Sequence, residues 1–446
     1  MTAAADRPKS ASLVRRMLAN TAWLLGGKGV AALFSLVYLA ILARTLGLRE
    51  FGHFSLILGS AQALVAVASF QTWRVVVRYG AAHVHARDWP AFGRLSLLAG
   101  LLDLAGALLG VGIAWLVFYR LDVVLDLNPD YRDLGFWFTC AMLFALNSAP
   151  TGIVRALDRF DIAAYVETVV PAGRLVAALA IWLTGASLAK FLAAWAVISL
   201  IEAAAYWIAA RRLCPEAVSL GHARHLRLAG PENPGIGRFF LVASASATLD
   251  GVVRQGPLLA AGYLVGTRTA GLFRLAAQLS QALGKLSILL TRAAYAEINR
   301  ARVAADPAQF RKLVTDTSLL AAGAAAAVMV IAVLIGRPLL ELIGGEPFVA
   351  GYAILLPLTA AACFELASVA FEPALHSTGR ARQALAGRLL GVFALAAGVA
   401  WFSAEESGVL VAAAAALGSL VTYLALGWLA WRALRTAESA ERAHAG

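Results

Sequence analysis

Residues 46–64 read LGLREFGHFSLILGSAQAL, and 219 positions later residues 265–283 read VGTRTAGLFRLAAQLSQAL. At that fixed offset eight of nineteen positions are identical, among them Gly47/Gly266, Arg49/Arg268, Gly52/Gly271, Phe54/Phe273 and Gln62/Gln281. Matching leucines would follow from composition alone, but matching glycines, arginines and glutamines do not. In each copy an apolar run stops at a glycine, turns within a few residues, and a second apolar run begins. That pattern is a tight helical hairpin with glycine closing the first helix. Gly47, Gly52, Gly266 and Gly271 are therefore its diagnostic positions. The chain says the same thing twice, so it is built from two related halves, and such membrane proteins place their substrate path at the junction.

Composition fixes the solvent. Hydrophobic residues make up 61% of the 446 positions and charged residues only 14%, against about 25% charged in a soluble domain. Apolar runs of span length recur from Ala19 to Trp431, and they are continuous rather than alternating. The fold class is an all-α polytopic membrane protein, and a β-barrel is excluded. A net charge of +12 invites a nucleic-acid reading, but the basic residues concentrate in short loops between spans. That placement is the one expected of cytoplasmic loops.

Twelve spans are legible, at about 18–43, 50–77, 95–118, 134–154, 162–184 and 188–210, then 239–264, 270–298, 313–335, 352–370, 381–402 and 409–431. The reading gives a tail over 1–17, a six-helix lobe over 18–210, a linker over 211–237, a second lobe over 238–431 and a tail over 432–446. The linker holds Pro215, Pro231 and Pro234 with several glycines and arginines, a surface composition. The first span has full length and no cleavage site, so it reads as an uncleaved helix. Counted over loops and span ends, 26 of the 38 Lys/Arg lie on the side of the termini, 7 on the other, and five inside spans. The bias puts both termini in the cytoplasm. Six spans per half give both repeats the same orientation, with a pseudo-two-fold axis along the membrane normal.

Polar residues inside the spans mark the path. In span 8, Arg274, Gln278, Gln281, Lys285 and Arg292 are spaced 4, 3, 4 and 7, one helical face extending about 27 Å. A cation facing lipid at midplane costs at least about 2.5–3.5 kcal/mol, so the stripe must face protein or water. Snorkelling of Arg274 and Arg292 to opposite interfaces would still leave Lys285 deep. Span 1 contributes Lys28 among Gly26, Gly27 and Gly29. No GxxxxGK[ST] surrounds it, so the glycines serve close helix approach rather than phosphate binding. Gln62 in span 2 is the repeat mate of Gln281. Span 7 carries Asp250 and Arg254, four apart, which could neutralise one another. Glu365 and Glu372 share a face of span 10, and Asp250, Glu365 and Glu372 are candidate ion-coupling acids. Asp103 and Glu202 stand as isolated acids, and Arg174 follows Pro171 in span 5.

No catalytic motif is present: HExxH, GxSxG, a nucleotide-binding glycine loop and a paired-carboxylate loop are all missing from the sequence. Cys140, Cys214 and Cys363 are odd in number and far apart, and His83 and His85 sit in a basic loop. Neither set makes a metal site, and no cofactor is expected.

The stretch LARTLGLREFGHFSLILGSAQAL, residues 42–64, resembles the amino-terminal hairpin of Wzx-type polysaccharide and O-antigen flippases, and residues 250–300 resemble their seventh and eighth helices. These proteins form a branch of the multidrug/oligosaccharidyl-lipid/polysaccharide exporter superfamily, beside lipid II flippases and MATE antiporters. The resemblance implies a V-shaped pair of six-helix bundles in the bacterial inner membrane. It implies alternating-access transport of undecaprenyl-diphosphate-linked oligosaccharide to the periplasmic leaflet, for O-antigen, capsule or exopolysaccharide. Partners would be that lipid, the bilayer, and polymerase or glycosyltransferases of the pathway, with no nucleic acid. Helical faces then assign Lys28, Arg254, Arg274 and Lys285 to a cationic lumen, and Gln62, Gln278 and Gln281 to its polar lining. The alternatives are a cation-coupled multidrug antiporter of the same fold and a membrane polymerase or glycosyltransferase.

Overall fold

The computed structural model describes residues 10–120, 128–284, 307–377, 380–402 and 405–445, with side chains from Leu33 onward in the first helix. The described residues form α1 (Ser10–Ala68), α2 (Thr72–His85), α3 (Trp89–Tyr119), α4 (Arg132–Phe144), α5 (Ser148–Ala156), α6 (Phe160–Thr184) and α7 (Leu188–Leu213). After short turns come α8 (Ala229–Glu232), α9 (Ile236–Val265) and α10 (residues 267–284). The chain then continues through α11 (Pro307–Gly344), α12 (Tyr352–Ala367), α13 (Phe371–Ser377), α14 (Ala381–Phe402) and α15 (Gly408–Ala445). No strand occurs among the described residues. Among the described residues ten stretches are long and apolar enough to cross a membrane, the first of which doubles back. With α10 they compose two six-helix bundles related by a pseudo-two-fold.

The hairpin glycines explain the doubling back. Gly47 stands at φ 72°, ψ 172° inside α1, and Gly266 at φ 103°, ψ 173° between α9 and α10. One residue in a conformation that only glycine adopts without strain reverses each chain. The turn is shorter than the few residues expected, and both halves use the same one. The two hairpins then meet face to face. A Cβ on Gly271 would lie 2.9 Å from the Leu48 carbonyl oxygen, and one on Gly52 would run into the Thr267 carbonyl. Leu48 and Thr267 are themselves repeat mates, so the contact is reciprocal, as an isologous two-fold contact must be.

Lipid competes equally for apolar contact, so helices in a bilayer associate by close packing and specific polar bonds. Around the glycine crossing the packing is dense. Phe51 meets Phe348 edge-on at 5.5 Å, and Phe54 meets Trp195 at 5.7 Å. The Arg44 guanidinium donates to the carbonyls of Glu341, Leu342 and Ile343, the last at 3.3 Å, and so caps the carboxyl end of α11 from the other half. This end of the molecule is sealed.

Two expected spans are broken. Span 2 stops at Ala68 and restarts at Thr72, with Gln71 left-handed at φ 46°. Span 4 divides into α4 and α5 at Ala145–Asn147, while span 10 stops at Ala367, three residues short of its expected end, with α13 beginning beyond it. Span 3 begins at Trp89, earlier than expected, because the Asp88 side chain accepts from the Ala91 amide at 3.0 Å and caps it. Residues 211–237 pack under α3: Arg94 forms a two-bonded ion pair with Glu232, and the His83 ring lies 3.0 Å from the Asn233 amide oxygen.

Candidate functional site

Each helix that leaves the glycine crossing carries polar residues further along, and those residues converge. Gln62 lies about 22 Å along α1 from Gly47, Arg274 about 12 Å along α10 from Gly266, and Asp250 about 24 Å back along α9. Together they line a cavity of about 530 Å³ between the two halves, on the side of the seam away from the hairpins. Gln71, Arg74, Arg254, Gln255, Gln278 and Gln281 complete its polar wall. The Gln255 amide donates to the Gln62 side-chain oxygen at 3.0 Å, bridging the halves at the cavity rim.

Of the residues singled out from the sequence, Gln62, Arg254, Arg274, Gln278, Gln281 and Asp250 come together on this wall. Lys285 and Arg292 lie outside the described residues, as does the side chain of Lys28. Glu365 and Glu372 stand behind α9 rather than on the cavity wall. Asp250 does not pair with Arg254, as its spacing allowed; its carboxylate meets Arg388 of α14 at 2.9 Å, and Arg388 also reaches Glu372 at 3.8 Å. The Glu365 carboxylate is 3.5 Å from the Ser419 hydroxyl.

Sequence reasoning missed four contributors. Gln71 and Arg74 reach the cavity because the break before Thr72 turns α2 toward it. Gln255 and Arg388 carry signals only once α9 is seen against α1 and α14. Arg174 is a fifth cation of note: its guanidinium lies 5.3 Å over the Trp195 ring, and its buried Nε has no hydrogen-bond partner among the described residues. The cysteines are free, and burial pushes the Cys214 thiol above its ordinary pKa, which suits an inert side chain.

Chemically, the described residues of the wall present three guanidiniums and one carboxylate, and that carboxylate is already neutralised by Arg388 from outside. Arginine forks match the geometry of phosphoryl oxygens, and glutamine amides can both donate to and accept from hydroxyls. Such a wall can bind an anion through its guanidiniums and hydroxyl groups through its amides. Among the described residues no group of three or more His, Cys, Asp or Glu is placed to hold a metal ion.

A family model described as polysaccharide biosynthesis protein matches residues 17–296, which takes in all of the first half, the start of the second and the whole of the cavity wall. The chain belongs to that family. This polysaccharide biosynthesis family member is also 27% identical over 350 residues to the inner membrane protein YghQ of Escherichia coli K12, covering 76% of this chain and 96% of YghQ. Its fold matches an inward-facing MATE family multidrug resistance transporter of the MOP superfamily, with a TM-score of 0.69 at 14% identity, over 92% of this chain and 96% of that one. It matches the lipid II flippase MurJ in an inward closed conformation at 0.70 and 11%, over 91% and 86%. The family member is a multi-pass membrane protein with the MOP fold, and its neighbours are transporters rather than enzymes, as the sequence led one to expect.

Proposed function

We propose that this protein is a flippase of the bacterial inner membrane that moves polyprenyl-diphosphate-linked oligosaccharide from the cytoplasmic to the periplasmic leaflet by alternating access. One observation carries the reading: Arg74, Arg254 and Arg274 line a cavity between the halves whose one acid among the described residues, Asp250, is paired with Arg388. The guanidiniums take the diphosphate and the glutamines take sugar hydroxyls, in a low-dielectric site where such pairing is strong. Lys28 and Lys285 are assigned to the same lining from the sequence. The lobes are residues 18–210 and 238–431, joined by 211–237. With the termini in the cytoplasm, the sealed hairpins face the periplasm and the cavity belongs to an inward-facing state. O-antigen, capsule and exopolysaccharide repeat units all fit this chemistry, and the polymerase and glycosyltransferases of such a pathway are the natural partners.

A cationic drug would be repelled by this wall, which disfavours the antiporter reading. The test is translocation of lipid-linked oligosaccharide in proteoliposomes, and its accumulation on the cytoplasmic side in cells. Arg254→Ala with Arg274→Ala should abolish transport while the protein is still made and inserted. Undiminished transport in that variant would remove the assignment.

A further inference from the structure

Residues 211–238 join the two halves, and the wall of the large cavity uses none of them. The middle of this linker is a 3₁₀ helix, Leu220–Leu228, reading LGHARHLRL. The Ser219 hydroxyl accepts from the Gly221 amide at 3.2 Å and starts it. One side of the helix is fixed to α3. The His222 ring occupies the space that a side chain on Gly93 would fill, so the close approach depends on that glycine. Just beyond the helix, Glu232 pairs with Arg94 and Asn233 meets His83.

The other side is open. Leu220 is 77% exposed and Leu228 46%. Arg224 and Arg227 are exposed between them, as are Arg211 and Arg212 at the end of α7 and Arg238 in the first turn of α9. Among the described residues none of these five arginines forms an ion pair or a side-chain hydrogen bond. The same stretch holds two acids, Glu216 and Glu232, and the second is already taken by Arg94. Free cations therefore outnumber free carboxylates on this face. Depth decides what can cover it. Trp89–Tyr119 is long and apolar enough to cross a membrane, and Gly93 lies four residues, about 6 Å, inside its start. The headgroup layer is about 5–7 Å thick on each side of the hydrocarbon. A helix seated against Gly93 is thus level with lipid headgroups. There, arginines meet phosphates and exposed leucines reach the acyl boundary, the two attractions that together hold a segment on a bilayer.

We infer that Leu220–Leu228 is an interfacial element that binds anionic phospholipid headgroups of the surrounding bilayer through Arg224 and Arg227, with Leu220 and Leu228 seated at the acyl boundary. Its attachment to α3 makes it part of the first half, so the lipid contact holds that half rather than a loose connector. The contact stands whatever the large cavity carries.

The experiment is hydrogen–deuterium exchange of the purified full chain in nanodiscs of phosphatidylcholine, with and without phosphatidylglycerol. Amides of residues 220–228 should exchange roughly fivefold more slowly in the anionic bilayer, because headgroup contact opposes local opening. The slowing should fall away in about 1 M salt, where the Debye length is about 3 Å. Arg224→Gln with Arg227→Gln should remove it, and Leu220→Ser should speed exchange in both bilayers. Should the arginine variant fail to fold, the salt titration of the parent decides. Equal exchange of the parent in the two bilayers overturns the inference, and so does slowing that survives high salt or the arginine substitutions. An unchanged rate in Leu220→Ser overturns the seating of the helix at the acyl boundary. Slowing by polyglutamate in phosphatidylcholine nanodiscs, with none from phosphatidylglycerol, would give the face to an acidic soluble partner and overturn the inference equally.

Discussion

Gly52 and Gly271 pack backbone against backbone across the seam between the halves, so close that a Cβ added to Gly271 would lie 3.3 Å from the Gly52 Cα. They are repeat mates, so the pseudo-two-fold axis passes between them, and the sealed end of the molecule is organised by their contact. Substituting them tests packing alone. Gly52→Ala and Gly271→Ala should each destabilise the seam by about 1–3 kcal/mol, as overpacking does. The variants should unfold at lower temperature and expose engineered cysteines near Phe51 and Phe273 to a water-soluble thiol reagent more readily than the parent.

Gly47 offers a complementary test, because no atom would lie within 4 Å of a Cβ there. Its constraint is the positive φ. Gly47→Ala should cost about 1–3 kcal/mol from backbone strain alone, and Gly47→Asn should cost about as much, since ψ 172° lies outside the left-handed well that asparagine tolerates. An unchanged Tm in both variants would show that conformation is not what the turn requires.

Arg44 ties the carboxyl end of α11 to the first half through three carbonyls. Arg44→Ala should lower stability by about 0.5–2 kcal/mol, measured as Tm in nanodiscs. Arg44→Lys should recover little, because one ammonium cannot span three acceptors as a guanidinium does.

The Asp250–Arg388 pair should govern the charge of the cavity rather than the stability of the fold. Both side chains are 42% exposed, so the pair adds little to stability. Removing Arg388 leaves a bare carboxylate on the cavity wall. Arg388→Gln should therefore weaken binding of a diphosphate lipid by about tenfold or more, since like-charge repulsion opposes the guest. Asp250→Asn with Arg388→Gln should restore most of it in the same binding assay.

The repeat made the fold readable before any coordinates: two glycines at one offset located both hairpins, and hydropathy located the crossings. The breaks at Gln71 and Asn147 were harder, because apolar runs continue through them. Asn147-Ser148 followed by Pro150 is a cap-and-proline start signal that an uninterrupted hydropathy reading passes over. Helical faces brought Gln62, Arg254, Arg274, Gln278 and Gln281 to one wall, since spacing determines a face once the helix is known. The partner of Asp250 was not legible, because an acid four residues from an arginine looks self-paired until α14 brings Arg388 against it. Gln71 and Arg74 escaped for the same reason as the break that turns them inward.

The most direct test of the central claim is photocrosslinking from single positions in native membranes holding radiolabelled lipid-linked oligosaccharide. A photoreactive residue at Gln281 or Gln62, on the cavity wall, should capture the labelled lipid, and the capture should vanish in an Arg254→Ala/Arg274→Ala background. Leu183, 78% exposed on the outer face of α6, should capture only bulk lipid. Equal capture from Leu183 and Gln281, or capture at Gln281 indifferent to the arginines, would contradict a cationic chamber that holds the diphosphate.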